Sequence, residues 1–377
     1  MKVDFFAKKI SELGIETITG IPDSTLRLFC EYIEDEGKDI FRYNITTENE
    51  GGAVGVAVGE YLATGRPACV YMQNSGLGNI VNPITSLANV EVYGIPMLLI
   101  IGWRGELGTK DEPQHKFMGR ITEDLLKVLD ISYRIVDSAT TGAELDTMLQ
   151  DAVESLKQNK QYALLIRKGT FEKEAEKIYC NNNTLLRENV IHRIAKWLIK
   201  DDMVVSTTGK ISRELYEQCN IQTGCHDQIF MAVGGMGHAN MIAYQLAQRH
   251  MDKKVICLDG DGALLMHMGS MAVIGAGGLK NYIHICLNNK AHESVGGMQT
   301  GAVEISYSEL AQRSGYDKVC HITNEKELEL ALLTVRDWAG AVFLEIEVAI
   351  GSRDNLGRPG ETAEENKFNF MKYHGVF

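Results

Sequence analysis

The sequence predicts an α/β protein built from two doubly wound parallel sheets, and three observations carry that reading. Short β-rich runs alternate with longer helical patterns along the chain. Most of the runs are continuously apolar and do not alternate, as strands covered on both faces should be. The length, 377 residues, exceeds what one hydrophobic core usually holds.

In chain order the expected strands are Ala68–Met72, Met97–Gly102, Ala163–Arg167, Met203–Ser206, Ile229–Val233, Val255–Leu258, Tyr282–Leu287 and Val342–Val348. Expected helices include Glu50–Ala63, Glu144–Leu156, Glu188–Ile199, His238–Arg249 and Glu325–Trp338. One stretch breaks the rhythm: residues 169–185, rich in Lys and Glu with Asn at 181, 182 and 183. It reads as a solvated linker, giving domains at 1–175 and 185–377 with residues 176–184 between them. No internal repeat is visible, so any likeness of the halves is one of fold. Ligands of such sheets bind beyond the carboxyl ends of the strands.

Composition narrows the function. The net charge of −12 argues against a nucleic-acid-binding surface. An anionic substrate would need a local basic cluster working against that field. The eight cysteines form no Cys-x-x-Cys pair, and several lie in apolar runs. Buried reduced thiols in a cytoplasmic protein are expected, and not a zinc or iron–sulfur site. Asp4 stands where a signal peptide would be apolar, and the longest nearly apolar run, Tyr93–Trp103, is too short to span a bilayer. A soluble protein is expected.

The strongest local signal is Asp259-Gly260-Asp261-Gly262 after one expected strand, with Asn288-Asn289 ending the next. Mg²⁺ takes hard oxygen ligands in near-octahedral geometry, usually a few protein groups plus phosphate. An Asp and an Asn at the ends of adjacent strands can reach one ion from two sides. Glycines at such a turn let backbone N–H groups approach a phosphate. Taken singly, each motif is more often a plain turn or strand end. Thr208-Gly209-Lys210 hints at a nucleotide P-loop, but Val204 stands where its first Gly belongs and Ile211 follows the Lys.

Two further turns carry chemistry. Thr47-Glu48-Asn49-Glu50-Gly51-Gly52 opens a helix of small residues, where a first-turn acid ordinarily serves the helix dipole. Gly234-Gly235-Met236-Gly237-His238 follows a strand and opens a helix; a Met there is more often a core filler, but the surrounding glycines leave it little core to fill.

Together with Gly20–Ser24, Met72–Asn79, Asp111–Gly119 and Gly351–Pro359, these motifs resemble the compact thiamine-diphosphate-dependent 2-oxo acid decarboxylases, the phosphonopyruvate and sulfopyruvate group, over essentially the full length. The resemblance implies a pyrimidine-binding first domain, a diphosphate-binding second domain and no central domain. It implies thiamine diphosphate and Mg²⁺ as cofactors, with Asp261, Asn289 and the Ala291 carbonyl as metal ligands. Two diphosphate oxygens and a water would complete the shell. Gly260, Gly262, Thr208, Gly209 and Lys210 would hold the diphosphate. Gly234 and Met236 would grip the pyrimidine, Met236 as the wedge that bends the cofactor, and Asn74 and Ser75 would also touch it.

The resemblance further implies an acid on the pyrimidine nitrogen, partly withdrawn from water so that both protonation states are accessible. Counting along the helix selects Glu50, with Glu48 as the alternative. Asp23 and His115 are the candidates for proton handling, although one His stands where related decarboxylases carry two. Arg353, Arg358 and Ser24 would take the anionic head group, as Arg's planar fork suits phosphonate or sulfonate oxygens. Arg104 and Lys110 would add charge, or are solvated surface cations.

The implied reaction is 3-phosphonopyruvate to phosphonoacetaldehyde and CO₂ through a cofactor enamine, in phosphonate biosynthesis. A homodimer or larger homo-oligomer with active sites between subunits is expected on the same ground. Sulfopyruvate decarboxylation is the near rival. A thiamine-dependent oxidoreductase subunit is disfavoured by the lack of Cys-rich cluster motifs, and a non-catalytic nucleotide-binding protein would bind no thiamine diphosphate.

Overall fold

A computed structural model describes residues 1–172 and 177–377. The chain divides into two compact units, Met1–Ile178 and Tyr179–Phe377. The expected domain end at residue 175 and linker start at residue 176 lie outside the described residues.

The first unit is a six-stranded, wholly parallel sheet of β1 (Thr17–Gly20), β2 (Tyr43–Thr46), β3 (Ala68–Gln73), β4 (Met97–Trp103), β5 (Ser132–Val136) and β6 (Gln161–Arg167). Their order is β2-β1-β3-β4-β6-β5. Strands β3, β4 and β6 run buried almost throughout, which is why their apolar runs are continuous. Three strands escape the sequence reading. β1 is a four-residue Thr-Ile-Thr-Gly run, and β2 and β5 are edges with weak apolar content, β2 exposed along nearly its whole length and β5 exposed in part. The helix Glu50–Thr64 starts at Asn49, whose side chain accepts from the Gly52 N–H at 3.0 Å, and stops at Gly65 in the left-handed region (φ 72°). It buries Ala53, Val54, Ala57 and Val58 in the core that β3 and β4 share.

The second unit repeats the plan with β7 (Met203–Ser206), β8 (Ile229–Met231), β9 (Val255–Gly260) and β10 (Asn281–Asn288). A short antiparallel hairpin follows, β11 (Ala291–His292) with β12 (Met298–Gln299), then β13 (Lys318–Ile322) and β14 (Gly340–Glu347). The six-strand sheet runs β13-β14-β10-β9-β7-β8, all parallel. Read from its other edge, this is the strand order of the first unit. The two units therefore share a topology without a visible sequence repeat.

Strand β8 stops two residues short of the expected Val233. There the side chain of Asn366 accepts from the Met231 N–H at 2.9 Å and donates to the Ile229 carbonyl at 2.9 Å, covering the sheet edge. The three-asparagine stretch also differs from a solvated linker. Asn181 Nδ2 donates to the carbonyls of Asn289 and Val348, both at 3.1 Å, and Asn183 Nδ2 donates to Val348 at 3.0 Å. The side chains supply donors that the ends of β10 and β14 lack. Among the described residues, no helix is long and apolar enough to cross a membrane.

Candidate active site

In both sheets the chain turns back between the first and third strands, so a crevice opens at their carboxyl ends. In the first unit that crevice lies between β1 and β3. Asp23, just past β1, is 2% exposed and spans it. Its Oδ2 accepts from Gln73 Nε2 at 2.5 Å, and Oδ1 accepts the N–H groups of Thr25 (2.8 Å) and Leu26 (3.2 Å). Burial raises the Asp23 carboxyl above the usual carboxylate range, outweighing those bonds and the Arg104 charge. Space for it exists because residue 102 has no side chain: a Cβ there would lie 2.2 Å from Asp23 Oδ1.

Glu50 opens its helix at the end of β2 and is 5% exposed. Asn79 Nδ2 donates to its Oε2 at 2.6 Å. Glu48, the alternative, is exposed and lies over Gly52. Beyond β4, Arg104 is bracketed by Asn74, which is 1% exposed: Asn74 Oδ1 accepts from the Arg104 N–H (3.1 Å) and Nδ2 donates to its carbonyl (2.9 Å). Asn74 Nδ2 also reaches Thr122 Oγ1 at 2.9 Å. The amide of Asn74, expected to touch the cofactor, is thus engaged with the Arg104 backbone and Thr122. The Ser75 hydroxyl donates to Gln73 Oε1 at 2.8 Å. His115 lies in the first turn of the helix Pro113–Val128; burial first, then the Arg104 charge, lowers its pKa.

In the second unit the crevice lies between β7 and β9, flanked by Thr208–Lys210 on one side and Asp261 on the other. Asp261 is 3% exposed, its Oδ2 has no hydrogen-bond partner among the described residues, and burial pushes its carboxyl up to about 7. The N–H groups of Gly262, Asn289 and Lys290 pull the other way without prevailing. Asn289 follows directly on β10, with Nδ2 donating to Glu293 Oε2 at 2.7 Å and Oδ1 accepting from the Ala291 N–H at 3.1 Å. Lys290, between them, sits in the left-handed region (φ 59°), a conformation that costs a non-glycine residue about 1 kcal/mol or more. Beneath the turn, Asp259 faces His284 (3.5 Å), and His284 Nδ1 meets the Tyr316 hydroxyl at 3.0 Å.

Met236 is half-buried at a turn closed by His238 N–H on the Gly235 carbonyl at 3.1 Å. Gly237 is left-handed (φ 88°), and a Cβ there would meet the Ala263 carbonyl at 2.8 Å. Thr208 Oγ1 donates to the Val233 carbonyl at 3.0 Å, and Lys210 Nζ donates to Ser352 Oγ at 2.7 Å and faces Glu293 at 3.4 Å.

Residues 3–127 match the thiamine pyrophosphate enzymes' N-terminal TPP binding domain, and residues 207–346 match their C-terminal TPP binding domain. Over 97% of its length the chain is 35% identical to the phosphonopyruvate decarboxylase of Streptomyces viridochromogenes, covering 92% of that protein. The chain belongs to the thiamine-diphosphate-dependent 2-oxo acid decarboxylases.

This decarboxylase is also 28% identical to the sulfopyruvate decarboxylase of Methanosarcina acetivorans, over 95% of this chain and 94% of the relative. Over 42% of its length it is 40% identical to the sulfopyruvate decarboxylase subunit alpha of Methanococcus maripaludis, covering 89% of that subunit. It acts on a 2-oxo acid of this phosphono or sulfo type.

The second unit of the decarboxylase fits a hard divalent ion. Asp261 offers a buried oxygen with no hydrogen-bond partner among the described residues, Asn289 bonds the same carboxyl through its N–H and carries a side-chain carbonyl oxygen, and buried Ala291 follows two residues on. Sequence reasoning missed Glu293, whose carboxylate gathers Asn289, Lys210, the Arg187 guanidinium (3.2 Å) and the Gly351 N–H (3.3 Å). Its only sequence signal is an acid four residues after Asn289. Asn79 was missed as well, since its partnership with Glu50 crosses 29 residues. Arg353 differs from an available head-group cation: it pairs with Glu188 at 2.8 Å and with Glu217, and Nη1 donates to Asn355.

Proposed function

We propose that this decarboxylase converts 3-phosphonopyruvate to phosphonoacetaldehyde and CO₂, with thiamine diphosphate held through Mg²⁺, as a step of phosphonate biosynthesis. The observation that carries the substrate choice is the end-to-end identity of 35% with a phosphonopyruvate decarboxylase, against 28% with a full-length sulfopyruvate decarboxylase. Asp261, Asn289 and the Ala291 carbonyl hold the ion, and Gly260, Gly262, Thr208, Gly209 and Lys210 flank the diphosphate. When bound, the cofactor supplies the electron sink that a 2-oxo acid lacks for losing CO₂.

The chain's own residues do the rest. Glu50, buried and steadied by Asn79, would be the acid–base group toward the pyrimidine of the bound cofactor. Gly234 and the half-buried Met236 grip that ring. Asp23, whose buried carboxyl favours the protonated form, and His115, whose neutral form is favoured, handle protons at the substrate. Ser24 and Arg358 face the head group, while Arg353 anchors the segment that carries Arg358 through Glu188 and Glu217. Assembly as a homodimer or larger homo-oligomer is supported by the bare face of the Glu50 helix, where an added Cβ at Gly55 or Gly59 meets no described residue within 4 Å.

A second reading, sulfopyruvate as substrate, is favoured by the 40% identity of 42% of the chain to a sulfopyruvate decarboxylase subunit. Side-by-side turnover decides: CO₂ and aldehyde release from each acid, with and without thiamine diphosphate and Mg²⁺. Faster turnover of sulfopyruvate would overturn the phosphonate assignment.

A further inference from the structure

We propose that Arg104, clamped by Asp111 and turned toward Ser24, is the specificity-determining cation for the substrate's anionic head group. The inference rests on the reading of the decarboxylase as acting on a phosphono- or sulfo-substituted 2-oxo acid, and it names the group that reads that substituent.

The guanidinium is built in place. Asn74 fixes the Arg104 backbone from both sides, at 3.1 and 2.9 Å. Asp111 then takes one edge of the fork: its Oδ2 accepts from Arg104 Nε at 3.0 Å and its Oδ1 from Nη2. The same carboxylate accepts the N–H groups of Gly105 (3.0 Å) and Glu112 (2.8 Å), which ties the loop to the side chain. These bonds hold Asp111 ionised, at about 2. Gly105 is required in turn, because a Cβ there would lie 2.0 Å from the His115 carbonyl. A fork immobilised on one edge presents the other with little entropy left to lose.

That second edge faces the crevice. Nη1 lies 3.4 Å from the hydroxyl of exposed Ser24, and the side chain as a whole is 25% exposed. The Arg104 charge is felt both by Asp23 and by His115, so it stands beside the two candidate proton-handling groups. An Nη1 donor and a hydroxyl set side by side suit two oxygens of a tetrahedral phosphonate or sulfonate.

The chemistry chooses which end of the substrate it binds. A guanidinium on the departing carboxylate would stabilise its charge before CO₂ leaves and so oppose the reaction. A guanidinium on the head group stabilises a charge that persists throughout, which is uniform binding and shows in KM. Arg353 meets two carboxylates, Glu188 and Glu217, with Nη1 spent on Asn355, whereas Arg104 meets one, Asp111, and keeps Nη1 toward Ser24.

The test compares wild type with Arg104→Ala, Arg104→Lys and Ser24→Ala as full-length holoenzymes. Steady-state kinetics on phosphonopyruvate and sulfopyruvate are combined with calorimetry of 3-phosphonopropionate, an unreactive analogue, and of thiamine diphosphate with Mg²⁺. Arg104→Ala should raise KM and weaken the analogue by roughly 10- to 100-fold, the worth of a charge-assisted contact, with a smaller change in kcat. Cofactor affinity should stay within about twofold, because uniform substrate binding does not involve it. Arg104→Lys, which keeps charge but not the fork, should recover only part of the loss and serves if the alanine variant fails to fold. Unchanged KM and unchanged analogue affinity in the folded variants would overturn the proposal. Wild type turning over neither acid would instead refute the functional reading, and the wild-type arm alone reports it.

Discussion

Asn79, in the helix Leu77–Pro83 that follows β3, donates its amide hydrogen at 2.6 Å to Oε2 of Glu50, which opens the helix before β3. A carboxyl that is 5% exposed is thereby held in one orientation while its other oxygen remains available. Glu50→Gln keeps the shape and removes the exchangeable proton. Turnover should fall by about 10²- to 10⁴-fold, the usual worth of a positioned acid–base group, with cofactor binding largely kept. Calorimetry of thiamine diphosphate beside the rate assay checks it; near-normal turnover would remove Glu50 from its assigned role.

Gly76 gives an independent probe of the same carboxyl. A Cβ at that position would lie 2.5 Å from both Cγ and Oε1 of Glu50, so Gly76→Ala must displace the acid. Overpacking of this kind costs roughly 1–3 kcal/mol of stability. Turnover should drop at least about tenfold while the protein still melts cooperatively, since a misplaced acid loses most of its effect. A fully active Gly76→Ala protein would mean that the carboxyl's position is immaterial.

These two residues also show where sequence reading stops. The eight expected strands were legible because most carry apolar side chains on both faces, whereas β1 offers only Thr-Ile-Thr-Gly and β2, β5 and β13 are exposed in part. Asp261 and Asn289 stood out because strand-end residues announce themselves by what precedes them. Asn79 and Glu293 did not, since their significance lies wholly in the partner each one touches. Arg353 misled for the same reason: a guanidinium after the last strand looks available until Glu188 and Glu217 are seen beside it. Charge is visible in a sequence, but its neutralisation is a fact of packing.

Asp23 sets a pH signature. Burial raises its folded-state pKa above the unfolded value, so the protonated form favours folding. That contribution is complete below the unfolded pKa of about 4 and is lost as pH rises through the folded value. Asp23→Asn carries no such ionisation, and Gln73 can turn its amide to face the new donor. The variant's melting temperature relative to wild type should therefore be highest near pH 8 and should decline toward pH 5. Melting curves at several pH values check this, and a difference that does not move with pH would refute the burial argument.

Glu293 makes the sharpest claim on the metal side. Its Oε2 receives Asn289 Nδ2 at 2.7 Å, which leaves the Asn289 carbonyl oxygen as the end directed away from Glu293. It also balances Lys210 at 3.4 Å and Arg187 at 3.2 Å, and Arg187 keeps a second, fully buried partner in Glu214 at 2.7 Å. Glu293→Gln can still accept from Asn289 through its carbonyl, but loses the charge that settles the two cations. Partners that orient metal ligands typically contribute 10- to 100-fold in affinity, so Mg²⁺-dependent binding of thiamine diphosphate should weaken by about tenfold or more. Because Glu214 remains, Arg187 is not left unpaired and the fold should survive. Mg²⁺ titrations followed by cofactor binding separate these effects; an unchanged Mg²⁺ requirement in a stably folded variant would show that Asn289 needs no such orientation.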